Sequence, residues 1–267
     1  MILFVFVLFA AAVFFIQHPS GRAVLFPPFA AHRSGRRLTW GLLITFGVCL
    51  AANLAVLLTI SSADVRSDSD EVAFYLAITA AWLVLSVLGF EYLGISFRDD
   101  VAARRNPAAA AAAAICGLMA GEAFSLAGSH TGNGPGPEAV LACALISSVA
   151  LFASWTVFNS FSGIVDRVSV ERDLGAGIRG AGFLGGGGAI LGASVAGDWI
   201  SLEGTLRDFA RFCWPIFLLI AAAAVVERAI AANRRLTQKV TNYLSLTYTG
   251  IAFSLSLLYA VRVWSRT

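Results

Sequence analysis

Glu91, Asn159 and Glu227 follow one another at intervals of 68 residues, each near the end of an apolar run. The residues that close the following loops, Asn106, Asp173 and Asn242, recur at almost the same interval. Each of the first three lies seven positions before a loop charge: Arg98, Asp166 and Arg234. At about 1.5 Å per helical residue, seven residues set them roughly 10 Å inside the edge of a membrane span. On equivalent helices, three equivalent groups could converge on one axis and pass or sense protons or cations. They could also be interfacial groups, solvated by snorkelling or paired with Arg228 and its neighbours. Two further candidates lie within spans. Glu122 has no counterpart in the other repeats, where Ile190 and Leu258 align with it, so it is either a local structural partner or an asymmetric functional group. Arg179 could pair with one of the acids, the usual way to hold a buried cation. An ionisable side chain at a span centre costs at least about 2.5–3.5 kcal/mol.

The elements that must position these groups are transmembrane helices. Apolar residues make up 58% of the 267 and charged residues 13%, about half the charge of an ordinary soluble domain. Eight stretches approach or exceed the roughly 20 apolar residues that cross a bilayer: 2–17, 39–60, 72–97, 107–128, 139–165, 174–197, 210–232 and 243–261. The expected fold is all-α, a single integral membrane domain of about eight spans arranged as four two-helix hairpins. The hairpins cover approximately 1–60, 72–128, 139–197 and 210–261. A β-barrel would show short alternating strands, and the chain has no long alternating stretch. The first span lacks the positively charged start of a signal peptide and is expected to be retained. Ala23–Ala31 is apolar but broken by Pro27 and Pro28, as in an interfacial or re-entrant loop.

Charge placement orients the bundle. Of 19 basic residues, 13 lie in the loops after spans 1, 3, 5 and 7, whereas acids dominate the opposite loops. The positive-inside rule therefore puts the basic loops in the cytoplasm and both termini outside. Basic loops of this kind fit topology and contact with anionic lipid better than nucleic-acid binding. Cys49, Cys116, Cys143 and Cys213 match neither a zinc nor a redox spacing and read as small buried apolar groups. No cofactor or metal is expected. Asn106, Asp173 and Asn242 stand where helix N-caps belong, and Pro107 suits the first helical position. The Gly-rich loop Ser129–Pro137 reads as a flexible turn.

Ten glycines fall in 174–197, with Gly182/Gly186 and Gly188/Gly192 in G-x-x-x-G spacing. Such spacing lets helix backbones approach closely in lipid, and Ala108–Ala114 looks like a matching smooth partner. A phosphate loop would need a preceding strand and a Lys, and neither is present.

The segment Gly94-Ile95-Ser96-Phe97-Arg98-Asp99-Asp100, then Arg105-Asn106-Pro107 and an Ala-rich span, resembles the YjfL-like bacterial inner-membrane proteins, catalogued as domain of unknown function 350. That family has tandem two-helix repeats with an acid about fifteen positions before an Asn that opens the next helix. Glu91/Asn106 and Glu227/Asn242 fit this spacing. Asn159/Asp173 is one residue short, with an amide in place of the acid, and the first hairpin departs most. The resemblance covers roughly residues 72–261. It implies a bacterial plasma-membrane location and supplies no chemistry.

Two functions remain open from the sequence. One is a non-enzymatic protein that passes a small ion or solute, of unknown identity, through the repeat bundle. The other is a structural or stress-related component acting by self-assembly, as a homo-oligomer, or by partner binding through the Gly/Ala-rich faces. An enzyme is disfavoured, because no ligand cluster, nucleophile–base pair or G-x-S-x-G elbow appears.

Overall fold

The structure, a computed structural model, describes residues 33–103, 107–134, 136–232 and 238–264. The expected first span, 2–17, the Pro27–Pro28 loop and Asn106 lie outside the described residues. Those described are helical, with no strand among them: α1 (Arg33–Thr59), α2 (Ala63–Ser67), α3 (Ser69–Glu91), a π-helical turn (Phe97–Ala103), α4 (Pro107–Ser129), α5 (Pro137–Ser162), α6 (Ile164–Ser169), α7 (Leu174–Ser194), α8 (Leu202–Phe212), α9 (Pro215–Ala232) and α10 (Gln238–Trp264). Six of them, α1, α3, α4, α5, α9 and α10, contain stretches long and apolar enough to cross a membrane. The chain is a multi-pass membrane protein.

α7 is 21 residues long, and its glycines and Arg179 dilute its hydropathy. It has no need of an apolar coat, because almost every residue from Gly175 to Ser194 is buried by other helices. α4 packs along one side of it and α10 along another, and α1 packs on the far side of α4. The four helices form a row in chain order, with α3, α5 and α9 against its flanks. Polar contacts along the row join residues 70–71 positions apart: Asn53 Nδ2 donates to Ala123 O at 3.1 Å, and Thr249 Oγ1 to Ile178 O at 2.9 Å.

Glycine sets this row. A Cβ on Gly188 would overlap the backbone of Gly121, and one on Gly128 the backbone of Gly192. The second G-x-x-x-G pair faces elsewhere: a Cβ on Gly182 would come within 2.8 Å of Thr249, and one on Gly186 within 2.9 Å of Ser256 Oγ, both on α10. Six residues along a helix turn through about 600°, so the pairs 182/186 and 188/192 address two different neighbours. Dispersion and close backbone contact replace the hydrophobic effect as the packing force in lipid. Aromatic rings fill the gap where the flanks meet the row. Phe158 stacks on Phe183 at 4.6 Å between centroids, and Phe90 lies 5.3 Å from Trp155.

Several boundaries differ from expectation. α3 stops at Glu91, six residues early, where Tyr92 caps it and the chain turns through Gly94 at φ +95°. α5 stops at Ser162, because Gly163 takes the left-handed conformation at its C-cap. Residues 202–212, read as loop running into a span, form the amphipathic helix α8. Ser201 accepts Gly204 N–H at 3.1 Å to start it, and Pro215 then opens α9. The Gly-rich loop after α4 is tied down rather than free. Trp199 N donates to Asn133 O at 2.7 Å, and Asn133 N to Asp198 Oδ1 at 2.7 Å.

Candidate functional site

The π-helical turn, α6 and the ends of α3, α5 and α9 share one end of the bundle, the basic end. The loop after α4, α2 and α8 lie at the other, the acidic end. At the basic end Asp173 caps α7, its Oδ1 accepting Gly175 N–H at 2.8 Å. Its other oxygen, Oδ2, lies 3.1 Å from Arg167 Nη2 on α6 and 3.6 Å from Arg179 Nη2 on α7. Glu227 comes in from α9, 2% exposed, and accepts from both arginines. Arg179 grips it with two nitrogens, Nε to Oε1 and Nη2 to Oε2, the latter at 2.9 Å. Its Nη1 donates to Ser245 Oγ on α10 at 2.5 Å, and Ser245 donates on to Thr241 O at 2.6 Å. Two guanidinium and two carboxylate groups thus bind α6, α7, α9 and α10 together. The fork geometry is the strongest form of carboxylate recognition.

The three residues spaced at 68 do not share this cluster. Glu227 alone enters it, and through Arg167 and Arg179 rather than Arg228, which is exposed beside an apolar groove lined by Phe161, Phe217 and Val225. Glu91, half-buried, is the last residue of α3 and accepts from Ser96 Oγ at 3.1 Å. The 10 Å depth does not hold for it, because the helix ends there. Asn159, also half-buried, accepts Val165 N–H at 3.0 Å across the turn at Gly163. Both serve the local turn that ends their helix.

The loop residues divide likewise. Arg98, Asp99 and Asp100 lie in the π-helical turn. Asp100, buried, accepts Ser96 N–H at 2.8 Å, while Arg98 and Asp99 are exposed and 3.9 Å apart. Asn242 is not an N-cap. It is the fifth residue of α10, which begins at Gln238. The helix continues through Lys239 because no proline or glycine stops it, and a capping residue alone does not end a helix that can extend past it.

Toward the acidic end Glu122 and His130 are buried as well. Glu122 on α4, fully buried, meets Ser148 of α5, and Ser148 meets Trp82 of α3. His130, just past α4, lies 3.1 Å from Thr79 Oγ1 and edge-on to Tyr75. Thr79 already donates its proton to Tyr75 O at 3.0 Å, so the shared hydrogen belongs to His130 Nε2 and the ring is the neutral Nε2–H tautomer. Burial pushes the His130 pKa down to about 4, which agrees.

In the sequence Arg167 is one of the 13 basic loop residues, and Ser148, Trp82 and Ser245 carry no mark. A lone Ser or Trp in an apolar helix carries no pattern; only the helix that faces it reveals its use. The cysteines are free, with Cys116 Sγ 3.3 Å from Thr45 Oγ1. Among the described residues no three His, Cys, Asp or Glu side chains gather as a metal site would require.

Compared with family models, curated proteins and solved structures, the chain matches none.

Proposed function

We propose that this chain is a non-enzymatic membrane protein that passes a small ion through its helix bundle, a cation in preference to an anion. The observation that carries the reading is the Arg167–Arg179–Glu227–Asp173 cluster. Buried charge in a bilayer is expensive and marks ion pathways or their gates more often than packing. A well-packed apolar cluster of the same volume would often be as stable or more so, so stability alone does not account for these four residues. Arg167 and Arg179 are both held by carboxylates, so the buried groups left to meet a mobile ion include Glu122 and the serine and threonine hydroxyls. In this reading the basic end is cytoplasmic, the cluster is the inner closure of the bundle, and the bilayer is a bacterial plasma membrane. The four-hairpin organisation, with the first hairpin beginning before α1, and kinship with the YjfL-like proteins belong to the same proposal.

The assembly reading loses its main support. The glycine faces of α4 and α7 are consumed within the chain, as their contacts with each other and with α10 describe. Self-association would have to use lipid-facing surface such as the groove between α5 and α9.

The test is flux in proteoliposomes containing the full chain, with proton, sodium and potassium gradients imposed in turn. The expected result is a flux above protein-free vesicles for one of them, altered by Glu227→Gln in protein that remains folded. Absence of flux for all three would overturn the reading.

A further inference from the structure

Glu122 lies seven residues before Ser129, and so roughly 10 Å in from the acidic end of α4. Its side chain is fully buried. Ser148 Oγ donates to Oε2 at 2.5 Å, and Trp82 Nε1 donates to Ser148 Oγ at 2.9 Å. The indole N–H can only donate, which turns the single hydroxyl proton of Ser148 toward Glu122. The second carboxyl oxygen, Oε1, is enclosed and has no hydrogen-bond partner.

Charged groups on the elements packed against α4 lie near the helix ends: Arg33, Arg36 and Arg37 at the start of α1, Asp70, Glu71 and Glu91 on α3, Glu138 on α5, Arg98, Asp99 and Asp100 on the π-helical turn, Asp166 and Arg167 on α6. Arg179 on α7 is held by Glu227. Within the spans the other titratable groups are Tyr75 on α3, the thiols of Cys49, Cys116 and Cys143, and Tyr243, Tyr248 and Tyr259 on α10. An ionised Glu122 would carry an uncompensated charge in an apolar shell with one oxygen unused, whereas the neutral acid is far cheaper to bury.

We propose that Glu122 is an intramembrane proton-binding site. Ser148 and Trp82 hold one carboxyl oxygen, and the acid exchanges its proton with water reaching the bundle from the acidic end. Ser148 and Trp82 are positioning residues. The proposal deepens the ion-passage reading by naming the proton, and it rests on that reading only for what the proton then does.

Infrared absorption of the full chain in lipid tests it. A protonated carboxyl C=O band is expected, shifted on transfer to D2O, lost in Glu122→Gln and kept in Glu227→Gln. Ser148→Ala removes the hydrogen bond to Oε2 and should move the band to higher frequency; this variant carries the test if Glu122→Gln fails to fold. A spectrum in which Glu122→Gln removes no such band, or Ser148→Ala leaves it unmoved, overturns the site. A band unresponsive to D2O overturns its access to water. A band without flux in proteoliposomes would keep the proton site and sink ion passage; flux without the band would do the reverse.

Discussion

Glu227 and Glu122 are both buried acids on apolar helices, yet the chain holds them by opposite means. Glu227 is gripped by two guanidinium groups from α6 and α7, with Asp173 balancing the second charge. Glu122 has one hydroxyl, and an oxygen left over. The difference is one of charge compensation. A carboxylate with cations in fork geometry is stable as an ion, so it fixes helices in place and has little freedom to change state. A carboxyl with only a hydroxyl is stable as a neutral acid, and an exchange of its proton breaks no ion pair. On this argument the first is a clamp and the second a switchable site.

The sharpest way to break the comparison is to neutralise each acid with its isosteric amide. Glu227→Gln leaves two arginines facing one carboxylate and is expected to cost roughly 3–5 kcal/mol. Glu122→Gln replaces one neutral group with another and should cost about 1 kcal/mol or less. Chemical denaturation in detergent measures both, and equal losses would mean that Glu122 is also an ionised partner. Acid should act at the acidic end. The His130 pKa is lowered from 6.5 to about 4 by burial, so below pH 6.5 the unfolded chain takes up a proton that the folded chain refuses. The His130 contribution to stability should be flat above that pH, fall as the pH drops toward 4, and level off below it. The total loss is at most about 3 kcal/mol, and His130→Asn should flatten the profile in thermal melts across that range.

A control on the row itself is Gly128→Ala, whose methyl would overlap the Gly192 backbone. A loss of about 1–3 kcal/mol is expected in the same denaturation assay, with the infrared signature of Glu122 retained. The smallest effect belongs to Glu91→Gln, where the partner is a serine at a helix end. A change within about 0.5 kcal/mol is expected, and a larger one would return Glu91 to the set of functional acids.

Much of the architecture was legible because a bilayer imposes it. Runs such as 72–91 and 139–162 must be helical once they are apolar and long, since lipid leaves the backbone no other partner. The Gly-rich 174–197 segment was readable as a contact helix for a related reason: in lipid, small residues serve close packing. Its two glycine pairs meeting two neighbours followed from the helical turn only when α4 and α10 were in place. The 68-residue spacing singled out Glu227, which the structure buries, and allowed a convergence of the three groups that does not occur. Equal spacing fixes equal places in a repeat, and α3 and α5 end in turns that use Glu91 and Asn159 locally.

By itself, then, the sequence determined a helical multi-pass membrane protein, its glycine-packed segment and the short roster of polar groups in its spans. Those follow from composition and period, which are properties of each helix taken alone. Which acid found a cation was decided only by tertiary structure. Arg167, Arg179 and Glu227 span 60 residues of chain and three helices, and Ser148 reaches Glu122 across a helix boundary. The energy of a buried charge depends on what stands opposite it across the interface, and no local pattern records that.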